Sequence, residues 1–133
     1  MEWMLLPIKR YADFSGRSRR QEYWMFELLK VLITGLFGAL ALVSAFIGTD
    51  NIVETGPGPG FYLVMLAWVL VFLALIVPTI AAQVRRFHDQ GRSGWFCLFH
   101  LVPSVGGIIV LVFMCLEGER GDNAWGADPK RLD

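Results

Sequence analysis

Three long apolar runs dominate the sequence, and short polar stretches separate them. Residues 31–48 and 61–82 contain no charged side chain, and residues 95–116 contain none unless His100 is protonated. Each run has about the 17–25 residues with which a helix crosses the ~30 Å hydrocarbon layer. A chain of 133 residues has too little polar sequence to cover three buried helices. The pattern therefore predicts an all-α integral membrane protein, a small bundle of three transmembrane helices.

The runs divide a single membrane domain, residues 1–133, into alternating apolar and polar segments. The N-terminal segment mixes apolar side chains with Lys9 and Arg10, which is typical of an amphipathic segment lying in the membrane interface. The expected order is a head at 1–24, spans at 25–48, 61–82 and 95–116, an outer loop at 49–60, an arginine-rich loop at 83–94 and a polar tail at 117–133.

The third run is interrupted in its middle by Pro103, Ser104, Gly106 and Gly107. One kinked span would place the tail outside the cell, whereas a re-entrant hairpin would return it to the cytoplasm. We expect the kinked span, because each arm of a hairpin would have only about nine residues, too few to cross the membrane.

Two local patterns refine the first span. Ser18 lies three residues before Gln21, a spacing that predicts a capping box and a helix start near Ser18. Further along, the Ala41 and Ala45 pair has the small-xxx-small spacing that lets helix backbones approach closely in lipid. The pair Gly35 and Ala39 has the same spacing.

Charge is balanced overall but segregated along the chain. The 12 basic and 12 acidic residues give a net charge of zero. Five bases lie in the first 24 residues and three more between Gln83 and Gly94, whereas the outer loop carries Asp50 and Glu54 and no base. Because Lys and Arg collect on the cytoplasmic side, the N-terminus and the arginine-rich loop are expected in the cytoplasm.

The stretch VRRFHDQGRSGW, residues 84–95, concentrates the candidate chemistry. Nothing stops the second helix before Gly91, so the helix should extend about two turns beyond the lipid. We hypothesise one interfacial ion network that links the first two helices, formed by Arg20, Glu22, Arg85, His88 and Asp89. Within it, Arg85 and Asp89 have i, i+4 spacing, and Asp89 could also reach Arg92 across the turn. The alternative is that the motif only fixes orientation and depth in the membrane, with Trp95 as the boundary anchor.

The same basic side chains suggest a partner. Guanidinium groups bind phosphate in a bidentate manner, and anionic headgroups attract basic residues by roughly 1 kcal/mol each. The expected partners are anionic membrane lipids, another copy of the chain or another membrane protein, and no nucleic acid. The cations in question are Arg17, Arg19, Arg20, Arg85, Arg86 and Arg92.

Three signatures give the chain a resemblance to a known family. They are GRSRRQEYWMF, RRFHDQGRSGW and GDNAWGADP, and together they resemble the bacterial inner-membrane family catalogued as domain of unknown function 805. Trp125 departs from the tyrosine or phenylalanine of that pattern, and His100 matches nothing in it. The matching positions are Gly16, Arg17, Arg20, Glu22, Tyr23 and Trp24; Arg85, Arg86, His88, Asp89, Arg92, Ser93 and Trp95; and Gly121, Asn123, Gly126, Asp128 and Pro129.

The resemblance implies a multi-pass inner-membrane protein of unknown biochemical activity and supplies no reaction. We expect an adaptor that holds lipid or a partner with its cytoplasmic arginine motif. An oligomeric transporter subunit is the alternative, and a membrane enzyme using His88 and Asp89 as an acid–base pair is a distant third. No nucleophile, metal cluster or phosphate loop is recognised, so we expect no enzyme activity, metal or cofactor. Asp122, Asn123 and Asp128 are expected to form turns in the tail.

Overall fold

The computed structural model describes residues 2–47, 49 and 52–132, with only the backbone at residues 54 and 132. Within these ranges the chain is helical and contains no β-strand; the only bridge is between Asn123 and Gly126. The predicted all-α class is confirmed. The α-helices are α1 (Glu2–Lys9), α2 (Arg20–Phe46), α3 (Ile52–Thr55), α4 (Pro59–Asp89) and α5 (Gly106–Cys115), and the 3₁₀ helices are Gly94–Leu101 and Pro129–Leu132.

Helices α2 and α4 are the membrane spans. They have 27 and 31 residues, so at 1.5 Å per residue each exceeds the ~30 Å hydrocarbon thickness. Only 11% and 6% of their most apolar stretches are buried inside the protein. An apolar core helix of a soluble protein would be mostly buried, so these exposed apolar surfaces indicate contact with lipid. The first two predicted spans are therefore confirmed as membrane helices.

The chain forms two compact units. The polar unit comprises Met1–Glu27 and Val77–Asp133, and the span unit comprises Leu28–Ile76. Both long helices therefore begin or end in the polar unit and run into the span unit.

In the span unit, the end of α2 meets the segment that starts α4. Ala41 and Ala45 are buried, and the backbone N–H of Gly58 donates to the carbonyl of Ala45 at 3.0 Å. This small-residue pair therefore marks a real close contact. The pair at Gly35 and Ala39 does not, because both residues are exposed.

The outer loop contains the short helix α3, which the sequence did not predict. Asp50 of this loop lies outside the described residues.

The third apolar run is a hairpin, so the expected single kinked span is wrong. Its first arm is the 3₁₀ helix Gly94–Leu101, and its second arm is α5. The rings of Phe96 and Phe113, one from each arm, lie 6.0 Å apart, and each lies 5.8 Å from Phe87 of α4. The first and last parts of the run therefore lie side by side, next to Phe87 of α4. Helix α5 has 10 residues, about half the length of a crossing.

The reversal follows from local backbone requirements. Ser104 has a positive φ of 68°, and a Cβ at Gly106 would overlap the carbonyl of Phe99. The carbonyl of Val102 accepts the N–H of Gly106 at 3.0 Å, which closes the turn. The glycine thus permits the two arms to touch at their tip, and the aromatic rings hold them together at their base.

The polar tail lies in the same compact unit as the head and makes hydrogen bonds to it, whereas the sequence led us to expect an outward tail opposite a cytoplasmic head. Arg17 donates to the backbone carbonyls of Glu119 and Gly121, each at 2.6 Å. Contacts of this length join residues on one side of a membrane. The hairpin explains these contacts, because it returns the chain to the end of α4, where the head also lies.

Helix α2 starts at Arg20, two residues later than the capping-box prediction. The N–H of Ser18 donates to the carbonyl of Arg85 at 3.2 Å, and the Ser18 hydroxyl is buried without a partner. The serine is held against the end of α4 and does not cap α2. The capping prediction is therefore wrong, because a contact distant in sequence holds the residue elsewhere.

Candidate functional site

The charged end of α4 is the most buried part of that helix. Every residue from Gln83 to Asp89 is buried except Val84, and the side chains of Arg85 and Arg86 are 0% exposed. The apolar middle of the helix is mostly exposed. This is the distribution expected of a membrane span whose end is enclosed by the polar parts of its own chain.

Arg85 joins α4 to α2 and to the head. Its guanidinium contacts the carboxylate of Glu22 at 3.1 Å, and both side chains are buried. It also donates to the backbone carbonyl of Asp13. Glu22 and Arg85, which the hypothesis placed on different helices of one network, thus form a direct ion pair.

Asp89 is shared between two other arginines. Its carboxylate contacts Arg17 at 3.0 Å and also contacts Arg86, one helical turn earlier in α4. Arg86 donates in addition to the carbonyl of Leu116, the last residue before the tail. The expected i, i+4 partner Arg85 faces Glu22 instead. Asp89 therefore links the head, α4 and, through Arg86 and Arg17, the tail.

Two arginines of the hypothesised motif lie outside this buried network. Arg20 pairs with Glu117 of the tail at 2.9 Å, and its side chain is 43% exposed. The guanidinium of Arg92 lies over the ring of Phe113, 4.5 Å from its centroid, and 5.5 Å from that of Phe96. Arg92 thus makes cation–π contacts with both arms of the hairpin instead of pairing with Asp89.

His88 stacks on the tail and does not act with Asp89. Its ring lies flat on Trp125, with centroids 3.7 Å apart and planes 2° apart, and its Nδ1 lies 3.2 Å from the carbonyl oxygen of Gly16. His88 lies beyond the apolar stretch that ends at Ala82, and burial lowers its pKa. The stacking gives Trp125 a definite role, because it is the tail residue that packs on His88 of α4.

The tail motif closes on itself and on α4. Asn123 donates from its side chain to the carbonyl of His88 at 2.9 Å, and it exchanges two backbone hydrogen bonds with Gly126. The Asp128 carboxylate accepts the N–H groups of Gly121 and Lys130, each at 2.9 Å, and these bonds lower the pKa of Asp128. The Asx side chains form turns, as expected. Pro129 accepts a hydrogen bond from Arg19 through its carbonyl.

Four further motif residues lie at the edges of the site. Tyr23 is buried and packs edge-on against the exposed Trp24, with centroids 5.6 Å apart. The Ser93 hydroxyl accepts the N–H of Trp95 at 3.4 Å and caps the first arm of the hairpin. Trp95 itself is 77% exposed.

The sequence did not identify Glu117, Glu119 or the backbone carbonyls of the tail as partners of the arginines. Those partners are about a hundred residues away along the chain, and no spacing rule connects them. Cys97 and Cys115 are free thiols. Among the side chains that the structure describes, no group of three His, Cys, Asp or Glu residues is arranged to hold a metal ion.

Comparison with known proteins agrees with this arrangement of motifs. Residues 11–127 match the family described as "Protein of unknown function (DUF805)". Two similar proteins are the inner membrane proteins YhaH and YhaI of Escherichia coli, 40% and 38% identical over 130 residues, which is 98% of this chain and 98% and 97% of theirs. The uncharacterized protein YiiR of the same organism is 29% identical over 141 residues, covering 87% of this chain and 85% of its own. No solved structure matches the chain.

Proposed function

The chain belongs to the DUF805 family, and from that premise we propose that it is a small inner-membrane adaptor whose cytoplasmic polar unit binds anionic lipid headgroups. Its similarity to the inner membrane proteins YhaH and YhaI supports the inner membrane as its location. The proposal assigns two tasks to the basic residues. The buried arginines build the polar unit, and the exposed ones bind lipid.

The distribution of basic residues supports a cytoplasmic polar unit. Of the 12 Lys and Arg residues in the chain, 11 belong to that unit, because Lys30 alone falls within Leu28–Ile76. Basic residues next to spans favour the cytoplasmic side. Head and tail share this unit, so we place both in the cytoplasm and the outer loop on the opposite side.

Cysteine labelling tests this orientation. In a variant whose Cys97 and Cys115 are replaced by alanine, single cysteines at Ser15 and Ala127, both exposed, should react with a membrane-impermeant maleimide only after the cells are permeabilised. A cysteine at Val53, which is 89% exposed in the outer loop, is the control and should react in intact cells. Labelling of Ser15→Cys and Ala127→Cys from opposite sides would contradict the proposal.

The burial of Arg17, Arg85 and Arg86 narrows the lipid-binding set that the sequence suggested. These side chains already hold protein carboxylates and carbonyls. The observation that carries the proposal is the set of cations that the internal network leaves exposed on the same unit. Apart from Arg92, whose guanidinium lies over Phe96 and Phe113, this set is Lys9, Arg20, Arg120, Lys130 and Arg131.

Lipid retained by the purified protein tests the proposal. The full chain, extracted gently from membranes, should carry anionic phospholipid in excess over zwitterionic phospholipid. The variant Lys9→Gln/Arg120→Gln/Arg131→Gln should lose that excess, by about fivefold per cation removed, because each contributes roughly 1 kcal/mol. High salt should have the same effect, since exposed charges are screened.

The matched control keeps the charges and changes the side chains. The variant Lys9→Arg/Arg120→Lys/Arg131→Lys should retain the anionic lipid of the unmodified protein. Equal lipid composition for the charge-removing and charge-keeping variants would overturn the proposal.

The other two readings of the sequence, a transporter subunit and an enzyme, receive no comparable support. His88, the expected acid–base group, is stacked on Trp125.

A further inference from the structure

A polar cavity of about 420 Å³ opens in the polar unit where α2 begins. Its walls include Arg19, Arg20 and Gln21 from the start of α2, Arg86 from α4 and Lys130 from the tail. Its volume falls within the ~300–1,000 Å³ of small-molecule sites. Three distant parts of the chain therefore contribute basic groups to one concave surface.

The basic groups at this cavity exceed the carboxylates that could neutralise them. Asp89 also lines the cavity, but it is shared by Arg17 and Arg86. Glu117 lies 2.9 Å from Arg20 and 3.7 Å from Lys130, so one carboxylate again serves two cations. Among the residues that the structure describes, four cations thus share two carboxylates: Arg17 and Arg86 share Asp89, and Arg20 and Lys130 share Glu117.

Arg86 provides a second, independent indication that the cavity binds an anion. The side chain is fully buried, and its two Nη groups donate to Asp89 and to the carbonyl of Leu116. Its Nε–H has no hydrogen-bond partner. A buried charged donor without an acceptor is costly, and Arg17 and Arg20 add like-charge repulsion at the same guanidinium.

The start of α2 adds a partial positive charge. The first amides of a helix point their N–H groups outward and attract anions. The expected capping residue does not satisfy them, because the Ser18 hydroxyl is buried without a partner. Arg20 and Gln21 are the first two residues of this 27-residue helix, and both line the cavity.

We propose that this cavity is a phosphate-binding site, occupied by the phosphate group of an anionic lipid headgroup or of a phosphate-bearing solute. The planar guanidinium group of Arg20 presents donors of the kind that phosphate oxygens accept. Lys130 adds a point charge from the tail. The lipid form of this inference rests on the proposed function above, and the solute form does not.

Binding of inorganic phosphate to the full-length protein in detergent, stripped of lipid, tests the site. Thermal unfolding is followed while phosphate is titrated against sodium chloride at matched ionic strength. Phosphate should raise the melting temperature with a saturable concentration dependence. Arg20→Gln and Lys130→Gln should each weaken apparent binding about fivefold, the equivalent of roughly 1 kcal/mol per cation. Both side chains are about half exposed, so the variants should fold.

The control variant is Arg10→Gln, which removes the same charge from a side chain that is 32% exposed and does not line the cavity. It should bind phosphate like the unmodified protein. An equal effect of phosphate on all four proteins, or no saturable effect on any, would overturn the inference.

A second arm identifies the source of the phosphate group. The protein is placed in nanodiscs of phosphatidylcholine with or without phosphatidylglycerol, and the phosphate titration is repeated. Loss of the phosphate effect in phosphatidylglycerol discs assigns the site to a lipid headgroup, and an unchanged effect assigns it to a solute. The proposed function depends instead on lipid retention through Lys9, Arg120 and Arg131, so either conclusion can fail without the other.

Discussion

Replacement of Asp89 by asparagine is expected to destabilise the polar unit by about 3–5 kcal/mol, the range for removing one partner of a buried ion pair. The carboxylate is the shared counter-ion of Arg17 and Arg86, and all three side chains are almost completely buried. An asparagine has nearly the same shape but no charge, so it would leave two guanidinium groups enclosed together. The measurement is the free energy of unfolding in detergent.

The matched control for this substitution is Asp122→Asn. Asp122 lies 3.8 Å from Arg131, and its side chain is 64% exposed. Solvent-exposed pairs of this kind contribute at most about 1 kcal/mol, so this variant should unfold almost like the original protein. Similar free energies of unfolding for Asp89→Asn and Asp122→Asn would show that the buried network does not hold the unit together.

The second large effect concerns the buried pair of Glu22 and Arg85. We expect Glu22→Gln and Arg85→Gln each to destabilise the protein by about 3–5 kcal/mol. The double variant should cost less than the sum of the two, with a coupling energy of up to about 3 kcal/mol. Arg85→Gln should be the more harmful single change, because Arg85 also donates to the carbonyl of Asp13.

A double-mutant cycle of unfolding free energies measures this coupling. Glu117→Gln, at the half-exposed carboxylate that pairs with Arg20, provides the comparison and should have only a small effect. Strictly additive effects of the two buried substitutions would mean that Glu22 and Arg85 stabilise the protein independently of one another.

The sequence predicted the long spans well because their signal is local. An uninterrupted apolar run needs no knowledge of the rest of the chain to indicate a membrane helix. The third run contains two conflicting signals. Its length favours a single span, whereas the helix-breaking residues in its middle favour a hairpin. In the structure the run is a hairpin held by contacts among Phe87, Phe96 and Phe113. These residues lie in three different segments, so their contacts produce no periodic pattern in the sequence.

The motif residues could be predicted as a group but not paired. Helical spacing favoured Arg85 with Asp89, yet Arg85 faces Glu22 and Asp89 takes Arg86 and Arg17. Arg17 and Asp89 are 72 residues apart. The chosen partner depends on which side of α4 meets α2 and which meets the tail, and that information is absent from local spacing. The stacking of Trp125 on His88 is equally invisible in sequence, although the unusual tryptophan marked the position.

The closure of the tail over Arg17 and Arg86 has a consequence for the time at which the protein matures. When α2 and α4 leave the ribosome, the carbonyls of Leu116, Glu119 and Gly121 that these arginines require come later in the chain and have not yet emerged. Insertion of the spans must therefore precede folding of the polar unit. Until translation ends, the nascent chain carries uncovered guanidinium groups, and a premature stop codon before Leu116 would leave them uncovered permanently, as a substrate for membrane proteolysis.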